Sequence, residues 1–385
     1  MLIRKAVLND YEDALKLIAY TNANKESYNI LAKKAVSAAI IIENIDNKAA
    51  AILKQEALSC GAELSVSFKV GDFQKGKSNA VLFVTMRELE ILSNKLILQP
   101  FGLKEAAAEF KKINQSLSVK KVFKYKNSSL ALSKPAVMGI INVDPNSFSG
   151  DGLKDYNEAA QRAVYFEQLG AKIIDLGAES SRPGSKPIDY KLEIKRLIPA
   201  LKQIRKKVKI PISIDTYKYE TAKAAISEGA DIINDIFALK IGKDKLAKLI
   251  ADSKAGLILM HSKGVPLTMQ NKALYRNCPS EVYDFLSKRK EYAMSLGIKE
   301  DFISIDPGIG FAKTIEHNLQ LINNLKIFSA LGPVTAGVSR KSFVRKLAGE
   351  QTIHFAAANF LAVIKGADII RVHDVKETID ILKLL

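Results

Sequence analysis

From about Pro135 onward, short β-branched apolar runs alternate with polar loops and amphipathic stretches. The runs are AVMGIINV, AKIIDLGA, IPISIDT, DIINDI, GLILMH, FISIDPG, PVTAGVS and DIIRVH. Between them lie helical patterns such as YNEAAQRAVYFEQLG and KYETAKAAISEGA, several closed by glycine as helix ends commonly are. Near-continuous apolar strands joined through helices indicate a parallel sheet covered on both faces. About eight such units in roughly 250 residues predict a (β/α)8 barrel over residues 135–385. An open doubly wound sheet would need no eighth unit and usually carries a glycine-rich first turn, a motif that the first loop does not have.

In a (β/α)8 barrel the C-terminal strand ends converge on one mouth, where the chemistry sits. The runs end in Asn142, Asp175, Asp215, Asn234 and Asp235, His261, Asp306, Ser339, and Arg371 with His373. One or two such groups are ordinary loop polarity. A full ring is hard to reconcile with structure alone, because desolvated charges cost stability unless they are paired. The first run also opens into the polar loop VDPNSFSGDG, and the second into ESSRPGSKP.

The first 128 residues read differently. AAIIIENID, KAAAILKQEALSCGA, ELSVSF, NAVLFVTM and RELEILSNKLILQPFGLKEAAAEFKKI predict strand, helix, strand, strand and helix, a small α/β domain with no chemical motif. Its role is unknown. FKYKNSSLALSKP reads as the linker to the barrel.

Composition adds exclusions. The 385 residues are 48% hydrophobic and 26% charged, and no apolar run reaches the length of a bilayer span. The N-terminus has no signal-peptide pattern. Cys60 and Cys278 are isolated, so neither a disulfide framework nor a zinc motif is implied, and the reducing cytoplasm is the expected compartment. The formal charge of +17 comes mostly from lysines scattered over polar helix faces. Without basic blocks, this reads as a solvated surface rather than a nucleic-acid or membrane partner. The histidines do not form a metal cluster, since His317 and His354 fall on helical patterns.

The blocks MGIINVDPNSFS, GAESSRPGS, IDTYK, IINDI, DPGIGFAKTIEHNL, GVSRKSF and RVHDV together resemble the dihydropteroate synthase family, in that family's order and over the whole barrel region. The resemblance implies joining of p-aminobenzoate to 6-hydroxymethyl-7,8-dihydropterin diphosphate, with release of diphosphate. It implies a homodimer through barrel helices and Mg²⁺ as cofactor. It puts Asp215, Asn234, Ile236, Met260, Asp306, Phe311 and Lys341 at the pterin. Asn142, Arg182, Arg371 and His373 take the diphosphate, with Asn142 also the metal residue. Phe148, Ser181, Pro183, Lys341 and Ser342 surround the p-aminobenzoate. Asp215, Lys341, Arg182 and Asn142 are the expected catalytic groups.

The residues support this chemistry physically. A carboxylate such as Asp306 accepts the adjacent amino and ring N–H donors of a pterin edge with two parallel bonds. Arg371 and His373 flank Val372, so both face one side of the eighth run. An amide oxygen such as that of Asn142 suits Mg²⁺, which prefers oxygen ligands and bound phosphates. Helix capping alone would also account for Asp215 in IDTYK.

There are departures. NVDPNSFSGDG stands where the family commonly has NVTPDSFSDGG, changing Asp144, Asn146 and Asp151. Ser180–Ser181 replaces Ser-Thr, and IFAL follows IIND where VSGG is frequent. Two rivals share the pattern: a pterin-dependent methyltransferase barrel, and a non-catalytic pterin-binding or scaffold barrel. The first has no need of the SRKS and RVHD groups, and the second would have lost its strand-end residues.

Overall fold

The computed structural model describes residues 1–118, 121–143, 156–180, 184–264, 269 and 273–385. The chain divides into two compact units, Met1–Val119 and Lys120–Leu385.

In the first unit, β1 (Ser37–Asp46), β2 (Glu63–Val66) and β3 (Lys77–Thr85) form an antiparallel sheet with β3 in the centre. Leu64 and Leu82 pack with Leu53, Leu89, Leu92, Leu96 and Phe110, giving the unit its own core. Those side chains come from helices Asn47–Ser59, Met86–Leu96 and Leu103–Ser116. The long helix expected over residues 87–113 is therefore two helices. The break falls at Pro100, which lacks an N–H, and at Gly102, which takes a left-handed φ of 79° before the second helix starts. Two further helices, Tyr11–Ala19 and Tyr28–Ala35, precede β1.

The second unit is the barrel. Its strands are β6 (Ala136–Asn142), β7 (Ile173–Gly177), β8 (Ile212–Asp215), β9 (Ile232–Asp235), β10 (Gly256–Met260), β11 (Ile303–Asp306), β12 (Thr335–Ala336) and β13 (Ile369–Val372). They are parallel, in the order β11-β10-β9-β8-β7-β6-β13-β12. A bridge between Ile305 and Val334 links the two ends. Beside it the Ser304 hydroxyl meets the Thr335 hydroxyl at 2.7 Å. Almost every strand residue is buried, which is why the runs are continuously apolar rather than alternating.

The segment read as a linker is a hairpin of the barrel unit, β4 (Val122–Tyr125) with β5 (Ser128–Ala131). The unit boundary accordingly falls before residue 128. Phe123, fully buried, clusters with Met138, Ile173, Ile232, Ile258 and Ile369 inside the N-terminal end of the barrel. A Cβ on Gly256, at the start of β10, would stand 3.0 Å from the tip of the Phe123 ring. The Lys126 N–H bonds the Lys254 carbonyl at 2.5 Å, and Lys126 Nζ lies 3.2 Å from the Asp231 carboxylate.

Removing this plug creates a cavity that the rigid strands cannot fill. We expect Phe123→Ala to cost about 3–5 kcal/mol of barrel stability. Urea unfolding followed by far-UV circular dichroism measures it, and a loss below about 1 kcal/mol would show that the hairpin only decorates the surface.

Candidate active site

Side chains two apart on a strand face the same side. Two residues beyond the plug layer of Met138, Ile173, Ile232, Ile258 and Ile369 come Ile140, Asp175, Asn234, Met260 and Arg371. This layer of the lumen is filled in most barrels by branched apolar side chains. Here it holds an arginine, a carboxylate and an amide.

Arg371 dominates it. From β13 its Nε donates to Asp175 Oδ2 on β7 at 2.5 Å, and its Nη2 to Asp215 Oδ2 at the end of β8 at 2.6 Å. Burial by itself disfavours the guanidinium charge, but Asp175 and Asp215 outweigh it and hold the Arg371 pKa above its ordinary value. Burial pushes the Asp215 carboxyl up to about 7, with Arg371 pulling down and Asp175 pushing up. The resemblance places Arg371 at the diphosphate; its Nε and Nη2 pair with carboxylates, and the side chain borders the mouth. Asp175 lies two residues before the end of β7 and is fully buried, so it is a lumen residue rather than a rim residue.

Asp306 ends β11 almost completely buried, with Oδ1 accepting the Gly308 N–H at 2.7 Å. Burial raises its pKa against the pull of that N–H and of Lys341. Asn234 is equally buried, and its Oδ1 has no hydrogen-bond partner among the described residues. Buried acceptors without partners are rare and costly. Ile236, Met260 and Phe311 pack in one apolar cluster with Phe237, Met269 and Ala312. Asp215 does not cap a helix, since the following helix, Tyr219–Ser227, begins after Lys218. Neither Asp235 nor His261 joins the lumen. Both Asp235 oxygens accept backbone N–H groups, from Phe237 at 2.8 Å and Leu239 at 2.7 Å. The His261 ring packs edge-on against Phe285 of helix Cys278–Ser295.

At the mouth opens a cavity of about 680 Å³, bordered by Asn142, Asp215, Phe311, Lys341, Ser342 and His373 among others, whereas Asn234, Ile236, Met260 and Asp306 do not line it. Lys341 Nζ stands 4.3 Å from the Phe311 ring centroid. Its stem lies against Gly310, whose φ is +86° and where a Cβ would come within 2.9 Å of Lys341 Cδ. The neighbouring Arg340 is engaged by the Asp374 carboxylate at 2.7 and 3.2 Å.

Sequence reasoning missed a polar brace beside the mouth. Glu179 accepts from the Tyr217 hydroxyl at 2.9 Å, from Lys218 and from the Ile188 N–H, and Lys218 reaches Glu193 at 2.8 Å. Ile188 and Glu193 are far from Tyr217 in sequence, so no local signal marks the brace. The IFAL departure has a backbone consequence. Ala238 and Leu239 both take left-handed φ, 50° and 62°. The Asp235 bonds and an Arg289 Nε–H donated to the Ala238 carbonyl at 2.7 Å hold a turn that glycine would adopt without strain. Phe148, Ser181, Arg182 and Pro183 lie outside the described residues, as do Asp144, Asn146 and Asp151.

A (β/α)8 barrel with two carboxyls, an amide and an apolar wall at its floor, and cationic groups at its rim, defines a barrel enzyme for a flat, anion-bearing small molecule. The comparisons identify which kind. Residues 138–373 match the family described as pterin binding enzyme. Over 260 residues the chain is 41% identical to the dihydropteroate synthase of Streptococcus pyogenes, covering 65% of this chain and 94% of that one. Over 255 residues it is 41% identical to that of Synechocystis, covering 64% and 88%. The Xanthomonas albilineans dihydropteroate synthase solved with 4-aminobenzoic acid superposes with a TM-score of 0.63 at 33% identity, over 69% of this chain and 97% of that one. The Burkholderia cenocepacia dihydropteroate synthase complexed with 7,8-dihydropteroate gives 0.62 at 33%, over 69% and 96%. The chain belongs to the pterin binding enzyme family, and within it to the dihydropteroate synthases, which are transferases.

The ion-pair geometry has a pH signature. A carboxyl whose folded-state pKa is raised binds its proton more tightly folded than unfolded, so its contribution to stability is lost as pH rises from about 4 through about 7. Replacing Arg371 by Met leaves both carboxyls without a counter-charge. We expect a loss of about 3–5 kcal/mol at pH 8 and a smaller loss at pH 5, where Asp215 is protonated. Denaturant titrations at the two pH values measure it, and an equal loss at both would mean that Arg371 contributes packing rather than charge.

Proposed function

We propose that this mouth performs the dihydropteroate synthase reaction with the roles that follow. The reaction joins p-aminobenzoate to 6-hydroxymethyl-7,8-dihydropterin diphosphate and gives 7,8-dihydropteroate and diphosphate. The observation that carries the reading is the buried Asn234 Oδ1, which has no partner among the described residues and stands on the strand next to Asp215. A pterin edge offers the donors that Asp306, Asp215 and Asn234 await, and its ring suits Ile236, Met260 and Phe311. Lys341, over Phe311, faces both the pterin and the p-aminobenzoate, and Ser342 meets the benzoate carboxylate.

Asn142 and His373 hold the diphosphate at the rim, helped by whatever part of Arg371 its two carboxylates leave. An amide oxygen such as that of Asn142 suits Mg²⁺ carried chiefly by phosphate oxygens. When bound, the ion would neutralise charge on the departing diphosphate. The protein's part is to keep water from the pterin methylene and to orient the neutral aniline nitrogen towards it. No general base is needed, because the amine attacks neutral and releases its proton afterwards. Phe148, Ser181, Pro183 and Arg182 complete the p-aminobenzoate and diphosphate ends, and sulfonamides, which mimic p-aminobenzoate, compete there.

Two settings complete the reading. No helix among the described residues is long and apolar enough to cross a membrane, and the free thiols Cys60 and Cys278 fit a reducing cytoplasm. Helix Thr352–Ile364 turns Ile353, Leu361 and Ile364 outward, 57%, 41% and 54% exposed, which suits a homodimer contact.

An amide at Asp306 would turn a donor towards the ligand's donors. We expect Asp306→Asn to weaken binding of a bare hydroxymethylpterin at least 100-fold, the equivalent of about 3 kcal/mol. Calorimetric titration measures it, and affinity within threefold of wild type removes Asp306 from the pterin site. We also expect Leu361→Glu with Ile364→Glu to yield a monomer by analytical ultracentrifugation, whereas a dimer that survives both charges must use another face.

A further inference from the structure

Lys313 is nearly inaccessible, 4% exposed, yet it is among the residues that border the mouth cavity. Its Nζ donates to the Phe311 carbonyl at 3.0 Å and lies 3.0 Å from His261 Nδ1, at the end of β10. One amine thus ties the loop after β11 to the neighbouring strand. That loop needs the tie. Gly308 has φ +67°, and a Cβ there would come within 1.9 Å of the His261 carbonyl. Gly310 is also left-handed, as is Ala312 at 51°, whose carbonyl accepts the Tyr275 hydroxyl at 3.1 Å. The two glycines take this conformation freely, but Ala312, a non-glycine, persists there only where the surroundings over-determine it. The segment they shape carries Asp306 with its Gly308 bond, Phe311, and the Gly310 surface on which Lys341 rests.

We infer that Lys313 is a positioning residue for the pterin site, holding the loop after β11 so that Asp306 and Phe311 face the ligand. This rests on the reading above that those two residues meet the pterin. A long amine suits the task because it fills the gap with an apolar stem and delivers donors to two elements at its tip.

The test uses the full chain and two probes, a bare hydroxymethylpterin and inorganic diphosphate with Mg²⁺, titrated separately. In Lys313→Ala, pterin affinity should fall at least tenfold while diphosphate affinity stays within twofold. Added n-propylamine should restore part of the pterin affinity, and tetramethylammonium, which has no N–H, should not. If the alanine variant fails to fold, Lys313→Met, which keeps the stem, takes its place with the same expected split between probes. Pterin affinity within twofold of wild type, or equal loss of both probes, overturns the inference. Asp306→Asn is titrated alongside. Normal pterin binding there overturns the pterin reading and this inference with it, whereas a defective Asp306→Asn beside a normal Lys313 variant overturns this inference alone.

Discussion

One guanidinium between two carboxylates organises the barrel lumen. Asp175 and Asp215 stand on adjacent strands, and Arg371 reaches Asp175 from two strands away and Asp215 from three. Each charge would be costly alone at that depth; Arg371 offsets both carboxylates, which disfavour each other, and they together hold its charge. The arrangement fixes which oxygen of Asp215 is already used and which remains for a ligand. It also ties β13 to β7 and β8 through the lumen, beyond the backbone bonds that hold neighbouring strands.

The floor around this triad is stiff by construction. On one side Asp235 ties down the left-handed Ala238 and Leu239, and on the other Asp306 accepts from the left-handed Gly308. The strain of the non-glycine pair Ala238 and Leu239 is of the kind stored where geometry matters most. A flat ligand with a fixed donor pattern rewards such stiffness, because a receptor already in place loses little entropy on binding.

Much of this was legible in the sequence. Strands buried on both faces show as unbroken β-branched runs, so the barrel and its polar strand ends followed from pattern alone. Ile236, Met260 and Phe311, apolar positions at or after separate strand ends, pack in one cluster. What pattern could not give was pairing across the lumen. Arg371 and Asp175 are 196 positions apart, and only closure of the barrel brings them together. Lys313 was hidden for a related reason, since nothing local says that a lysine's amine will be buried. The hairpin at Phe123 reads as linker in the sequence because a single buried aromatic among lysines and serines leaves no periodicity to detect.

That hairpin changes where the barrel can be said to begin. Its first strand in sequence is β6, but the apolar floor is completed by a residue thirteen positions earlier, Phe123 against Ala136 at the start of that strand. Lys121 belongs to the same layer, through its 2.6 Å pair with Asp368 beside β13. A fragment trimmed to the first β-branched run would keep all eight strands and open its base to water. The shortest piece with a dry base starts at Lys121, so fusion junctions, permuted termini and proteolytic nicks have their natural place upstream of that lysine rather than at Pro135.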